Sequence, residues 1–155
     1  MSPKVVHYAM KYIYYALSFE STLNVLMPIM DRLLFGVIFR LTFLTRHDEK
    51  IWKEDPEEYI RKEEDVSQIT TDNKNLALDL LEKLCKDKKT GCMMKMLKYF
   101  HSVFTMNVDP YDNSAPSIIV KEAVLRTMGT LRDLILEVQE FDVEDILVKY
   151  LIPEF

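Results

Sequence analysis

The chain has 155 residues, of which 48% are apolar and 29% charged, and its net charge is −5. This length suits one domain and the apolar content is enough for a packed core, which excludes a wholly disordered protein. Because glycines are scarce while Leu, Met, Lys and Glu are abundant, the composition favours helices over strands.

Two predicted helices occupy the N-terminal part. The apolar stretch Val5–Leu17 predicts the first, and apolar residues at steps of three and four from Leu23 to Leu41 predict a second, which Pro28 should start or kink. The most apolar run, Leu33–Leu44, is 12 residues long and contains Arg40, whereas a membrane span needs roughly 20 apolar residues. We therefore expect a buried core helix and no membrane span. The N-terminus lacks the cleavage site of a signal peptide, which indicates an intracellular protein.

Two further helices are predicted on either side of a short lysine-rich turn. Thr71 or Asp72 can cap a helix whose apolar positions run from Leu76 to Leu84. Gly91 separates this helix from a second apolar stripe, Met93–Phe104. The short turn predicts that the two helices are antiparallel.

The C-terminal part is predicted to contain one long helix and one short one. After the turn-rich link NVDPYDNSAP, a helix from about Pro116 has apolar residues at helical spacing from Val120 to Val138. Asp142 can cap a final helix with Ile146 and Leu147 facing inward. Since no segment shows strand alternation, we predict an all-α protein, either an α-solenoid of antiparallel helix pairs or a compact helical bundle.

No sequence pattern indicates catalysis, a cofactor or a metal. The three histidines do not form a metal-ligand pattern, and His47–Glu49 is interpreted as a solvated corner. Cys85 and Cys92 are interpreted as two reduced thiols. The single glycines cannot form a phosphate-binding loop, and an acidic chain with a pI near 5.3 is not expected to bind nucleic acid. An enzyme is therefore not expected.

The only tryptophan lies in the charged segment IWKEDPEEYIRK. Asp55-Pro56 should turn the chain and place the two following glutamates in the first turn of a helix, where the helix dipole favours negative charge. That turn would direct Trp52 and Tyr59 towards the helices, with Trp52 buried across the seam between two helix pairs. We interpret four residues as structural anchors of this loop: Trp52, Asp55, Pro56 and Tyr59.

The segments LMPIMDRLLFGVIF and HDEKIWKEDPEEYIRKEED resemble the importin-beta-like nuclear transport receptors, or karyopherins, of the importin-seven and importin-eight type. That family has an apolar helix, a short acidic stretch, then Trp, two variable residues, Asp-Pro and Glu-Tyr-Ile; here these are Trp52, Asp55-Pro56 and Glu58–Ile60. KEAVLRTMGTLRDLI and LVKYLIPEF are similar to later helices of the family. The resemblance implies that residues 1–155 form a single central fragment of a solenoid of HEAT-like helix pairs.

The resemblance also implies a function. The chain would be a segment of a nuclear transport receptor that binds protein cargo for nuclear import, found in the nucleus and the cytoplasm. The GTPase Ran and nucleoporins would be partners of the full-length receptor. The alternative is a truncated helical scaffold that binds proteins without transport activity of its own.

Charge suggests what kind of cargo would bind. Residues 46–65 contain nine acidic and five basic side chains, a net charge of −4. Receptors of the resembled type carry basic clients, and an acidic surface attracts such partners over long range. The candidate cargo contacts are four glutamates: Glu57, Glu58, Glu63 and Glu64. The simpler interpretation is that these charges only keep an outer face of the protein soluble.

Solenoid ends are predicted to be exposed and to cause self-association, because each repeat buries its face only against its neighbours. At the N-terminal end the predicted face consists of Val5, Tyr8, Tyr12 and Tyr15, and at the C-terminal end of Ile146, Tyr150 and Phe155.

Overall fold

A computed structural model describes residues 2–64, 73–106, 117–139 and 141–152. Within these ranges all regular elements are helical and no strand is present, which confirms the predicted all-α class. The chain forms two compact units, Met1–Leu81 and Glu82–Phe155.

The first unit begins with helix α1 (Pro3–Ala16), which has proline in its first turn, where the missing N–H costs nothing. A nearly continuous helical segment follows between Glu20 and Thr42. Its pieces are α2 (Glu20–Leu26), a 3-10 turn (Met27–Ile29), α3 (Met30–Leu33), a π turn (Leu34–Ile38) and a second 3-10 turn (Phe39–Thr42). Pro28 lies in the first 3-10 turn, so the predicted interruption of the helix is confirmed.

The core of the first unit is built from apolar side chains at helical spacing. Those that are almost completely buried include Met10, Met30, Leu34, Ile38, Phe39, Leu80 and Leu81. The predicted stripe fails at Met27 and Val37, which are exposed. Val37 lies inside the π turn, where the wider turn shifts the phase of the following side chains away from a 3.6-residue period.

By length and composition alone, Glu20–Glu54 could cross a membrane, and 39% of its most apolar window is buried. Core helices of soluble proteins pass the same test, and the buried Leu34 and Ile38 lie in this segment. The predicted core helix is confirmed at these positions. The absence of a membrane span stays a prediction.

Three more helices belong wholly or partly to the first unit: α4 (Arg46–Glu54), α5 (Pro56–Glu64) and α6 (Asn73–Lys86). Only Asp55 separates α4 from α5. Thr71 and Asp72, the predicted caps of α6, lie outside the described residues.

The second unit contains the end of α6, a 3-10 turn and four helices: α7 (Cys92–Met106), α8 (Ser117–Thr130), α9 (Arg132–Leu136) and α10 (Val143–Ile146). The turn between α6 and α7 ends at Gly91, whose φ of 63° is left-handed and favours glycine. The buried Thr90 hydroxyl donates to the Leu84 carbonyl at 2.7 Å and accepts the Cys92 N–H at 3.1 Å. Gly91 therefore separates α6 from α7, as the sequence predicted.

The C-terminal helix confirms two expectations, the Asp142 cap and the inward-facing Ile146, and corrects two. Asp142 caps α10, because its side chain accepts the Asp145 N–H at 2.9 Å. Ile146 is buried and does not belong to an exposed end face, whereas Leu147, predicted to face inward, is exposed. The reason is the π turn Leu147–Leu151, which changes the helical phase directly after Ile146. Phe155 lies outside the described residues.

Candidate protein-interaction surface

The corner between α4 and α5 is made by Asp55 and Pro56. Asp55 has a non-helical backbone, with φ −152° and ψ 86°, and its side chain accepts the Glu58 N–H at 2.9 Å. Pro56 is the first residue of α5, and Glu57 and Glu58 lie in its first turn. The turn predicted from Asp-Pro is confirmed, because the carboxylate caps the helix that the proline starts.

Trp52 and Tyr59 contact each other across this corner. Their ring centroids are 5.5 Å apart at an interplanar angle of 85°, an edge-to-face pair. The expectation that Trp52 is buried is wrong, because its side chain is 53% exposed. The tryptophan packs on a tyrosine of the adjoining helix while about half of it faces solvent. Its role as an anchor of the solenoid stays a prediction.

Trp52→Ala is expected to lower the free energy of unfolding by about 1 kcal/mol, the value typical of an aromatic pair that is not fully covered. A buried anchor would cost about 3–5 kcal/mol. Urea denaturation followed by circular dichroism measures the difference. Native emission of Trp52, the only tryptophan, is expected to lie close to that of a solvated indole. A strongly blue-shifted native emission would contradict the exposed position.

The first turn of α4 is linked to α6 by a buried lysine. Thr45 and Asp48 form a capping box: the Thr45 N–H donates to Asp48 Oδ2 at 2.8 Å, and the Thr45 hydroxyl accepts the Asp48 N–H at 3.2 Å. Lys74 Nζ lies 3.4 Å from the same Asp48 oxygen, and Lys74 is only 6% exposed. The interpretation of His47–Glu49 as a solvated corner is wrong for Asp48.

The pKa of Asp48 reflects this arrangement. Partial burial alone would raise the pKa of the carboxyl, but the hydrogen bonds from Thr45 and the charge of Lys74 outweigh burial and lower it. The Asp48 carboxylate therefore stays charged and holds the start of α4 against α6. The sequence analysis missed both the Asp48–Lys74 pair and the capping box, although the Thr-x-x-Asp spacing at the start of α4 is a recognisable cap signal.

Several acidic side chains of α4 and α5 lie at the surface, and some have basic neighbours. Glu58 is 3.2 Å from Arg61, and Glu54 is 3.8 Å from Lys50. Such exposed pairs contribute at most about 1 kcal/mol each, so they leave the carboxylates available to a competing partner. Glu57 is exposed in the first turn of α5. Glu63 and Glu64 belong to the same helix, but their side chains lie outside the described residues. The four candidate contacts thus share one helix.

The described residues contain no group of three His, Cys, Asp or Glu side chains that could hold a metal ion. Both cysteines are reduced and buried. Burial, together with the nearby Cys92, raises the pKa of the Cys85 thiol to about 12, which keeps it protonated and unreactive near neutral pH. These thiols belong to the core of the second unit.

Comparison with known proteins agrees with the all-α fold. The Cse1 family matches residues 6–149 of the chain. The chain belongs to the Cse1 family of importin-beta-like proteins. This assignment supports a HEAT-like arrangement of its helices over a compact bundle.

Relatives of this Cse1-family chain carry importin names. An Importin beta-like SAD2 homolog from Arabidopsis thaliana is 25% identical over 154 residues, 98% of this chain and 15% of that protein. Importin-8 of Mus musculus is 26% identical over 156 residues, again 15% of the longer protein. Importin-8 of Homo sapiens is 26% identical over 138 residues, 88% of this chain and 12% of that protein. The chain therefore spans about 15% of the length of the first two curated relatives. No solved structure gave a significant match.

Proposed function

We propose that the chain is a cargo-binding segment of an importin-beta-like nuclear transport receptor, active in nuclear import and present in nucleus and cytoplasm. The observation that carries this proposal is the Cse1 match over residues 6–149. The segment would act by binding proteins, without chemistry. Residues 1–155 would be a single fragment of a HEAT-repeat solenoid, and Ran and nucleoporins would be partners of the full-length receptor.

The surface formed by α4 and α5 is the proposed cargo contact. Residues 46–65 carry a net charge of −4, close to the −5 of the whole chain. The half-exposed indole of Trp52 stands on the same pair of helices, and aromatic faces attract lysine and arginine side chains through cation–π contacts. Carboxylates and an accessible indole together suit a basic, lysine- or arginine-rich segment of a protein. Trp52 thus becomes a candidate contact as well as a local anchor.

The exposed Ile60 adds an apolar contact to this surface. An interface that combines apolar anchors with charges is more specific than one that relies on charge alone, because charges steer the encounter whereas covered apolar side chains slow dissociation. The proposed cargo segment therefore contains apolar residues beside its basic ones.

Charge reversal at the four glutamates is expected to abolish binding of a basic peptide. A variant carrying Glu57→Lys, Glu58→Lys, Glu63→Lys and Glu64→Lys changes local attraction into repulsion. We expect a loss of at least about tenfold in affinity, equal to about 1.4 kcal/mol. Isothermal titration calorimetry with a lysine- and arginine-rich peptide measures this loss, and circular dichroism verifies that the variant keeps its helices.

The matched control separates a local contact from the effect of net charge. The double variant Glu57→Lys/Glu58→Lys is compared with Glu137→Lys/Glu144→Lys, which makes the same change of charge at exposed positions of the second unit. Binding weakened only by the first pair supports the cargo surface. Equal weakening by both pairs, or no weakening by either, contradicts it. A scaffold segment without cargo binding would show no binding by the unmodified chain.

A further inference from the structure

The turn between α6 and α7 borders a cavity of about 330 Å³, and all the residues that line it belong to the second unit. Its apolar lining comes from the end of α6, the start of α7 and the region of α9: Cys85, Met93, Met94, Leu134 and Val138. Binding sites for small ligands start at roughly 300 Å³. A cavity of this size therefore suits a few side chains of a peptide, and its two methionines can adapt to their shape.

Lysines dominate the charge around this cavity, which we call the lysine pocket. Four charged residues line it: Lys86, Asp87, Lys88 and Glu137. Residues 82–98, which include the turn, contain six lysines and two acidic residues, a net charge of +4. Since the whole chain has a net charge of −5, this is a basic area on an acidic protein. Its field attracts a partner that carries negative charge.

The lysine side chains at the pocket are accessible to such a partner. Lys86 Nζ lies 2.7 Å from Glu82 Oε1, but the Lys86 side chain is 59% exposed, and an exposed pair of this kind contributes at most about 1 kcal/mol. Lys88 is exposed as well. The Asp87 carboxylate is used within the turn, because its Oδ1 accepts the Lys89 N–H at 2.9 Å. The exposed Glu137 is therefore the main acidic group of the lining that opposes a negatively charged ligand.

Stacking of repeats does not account for a pocket with this lining. In a solenoid of helix pairs, each repeat buries the apolar faces of its helices against its neighbours, and the connecting turns lie along the edges. The lysine pocket lies beside such a turn, and a neighbouring repeat that covered it would remove charged side chains from water at high cost. Loops on a rigid scaffold are where binding sites concentrate. The pocket therefore suits an outside partner.

We propose that the lysine pocket binds a short segment of another protein in which an apolar side chain is flanked by acidic residues. The apolar side chain would contact the methionines and Leu134, while the acidic residues face Lys86 and Lys88. This site is separate from the proposed cargo surface, because the two share no residue and their charges are of opposite sign. A failure of either proposal leaves the other standing.

The probe is a fluorescently labelled peptide with one leucine between aspartates and glutamates, and fluorescence anisotropy measures its binding to the unmodified chain. We expect a Kd of roughly 10–100 µM. The double variant Lys86→Glu/Lys88→Glu replaces attraction by repulsion and is expected to weaken binding at least about tenfold. A peptide with serine in place of leucine is expected to lose affinity by about the same factor, because its side chain does not fill the apolar lining.

Glu137→Gln is expected to have the opposite effect. It removes the exposed carboxylate from the lining and should strengthen binding of the acidic peptide by roughly threefold, a gain that damage to the fold would not produce. The matched control for the lysine variant is Lys4→Glu/Lys11→Glu, which makes the same change of charge at exposed positions of α1. This control is expected to change the affinity less than about twofold, because salt screens charges that are distant from the peptide.

Three results overturn the proposal: no binding by the unmodified chain, equal weakening by the two lysine variants, or equal binding of the leucine and serine peptides. Circular dichroism establishes that each variant keeps its helices. The same titration on the full-length receptor, an arm that rests on the proposed function, tests whether the pocket is accessible there. Binding that is lost in the full-length receptor would assign the pocket to another part of the same receptor and overturn the proposal as well.

Discussion

Phe100→Ala is expected to lower the free energy of unfolding by about 3–5 kcal/mol, because it removes a completely buried ring from the core and leaves a cavity. Phe100 lies in the middle of α7, between buried Met96 and Phe104, each four residues away along the helix. The neighbouring side chains belong to a close-packed interior and relax only in part. The effect should approach the whole stability of a small helical unit.

Met94→Ala is the control for this prediction. Met94 lies in the same helix but is 39% exposed, so its truncation is expected to cost no more than about 1 kcal/mol. Urea denaturation monitored by circular dichroism measures both variants. A cost below about 1 kcal/mol for Phe100→Ala would show that α7 does not pack as described.

Asp48→Ala is expected to destabilise the first unit by about 2–4 kcal/mol. The substitution leaves the buried Lys74 ammonium without the Asp48 carboxylate, and breaking a buried ion pair at one partner costs about 3–5 kcal/mol. The partial exposure of Asp48 reduces this figure, while loss of the capping box adds to it. The double variant Asp48→Asn/Lys74→Met should recover part of the stability, because neither charge is then present. No recovery would contradict the described pair.

The same pair predicts how stability depends on pH. The pKa of Asp48 in the folded state lies below the ordinary aspartate value of 3.8. A carboxyl whose folded pKa is depressed contributes stability that is fully present above its unfolded pKa and is lost as pH falls through its folded pKa. The stability difference between the unmodified chain and Asp48→Asn should therefore be constant near neutral pH and shrink below about pH 4. A difference that grows with acid would contradict the sign of the shift.

Apolar spacing was sufficient to predict most of the helices and much of the core, but it missed the polar helix α4 and the division between α8 and α9. Leu80, Leu84 and Phe100 are buried where a 3.6-residue period places them, because that period is a local property of the chain. The prediction failed at Met27, which lies in a 3-10 turn, and at Val37 and Leu147, which lie in π turns. A π turn has a different number of residues per turn, and no residue type in these two segments signals it.

The interaction surface was predicted less completely than the fold. The Asp55-Pro56 corner followed from local backbone chemistry and was confirmed. The exposure of Trp52 did not follow, because it depends on what packs against α4 and α5. The Asp48–Lys74 pair joins residues 26 positions apart, and local sequence propensity does not predict such a tertiary contact. The four glutamates remain predicted cargo contacts.

The emission of Trp52 during titration with a lysine- and arginine-rich peptide tests the cargo proposal most directly, because the only tryptophan of the chain stands on the proposed contact surface. The account predicts that emission changes in a saturable way and that affinity falls steeply as salt is raised towards physiological strength, where the Debye length is about 8 Å. Emission that stays unchanged while calorimetry shows peptide binding, or an affinity that does not depend on salt, would contradict it.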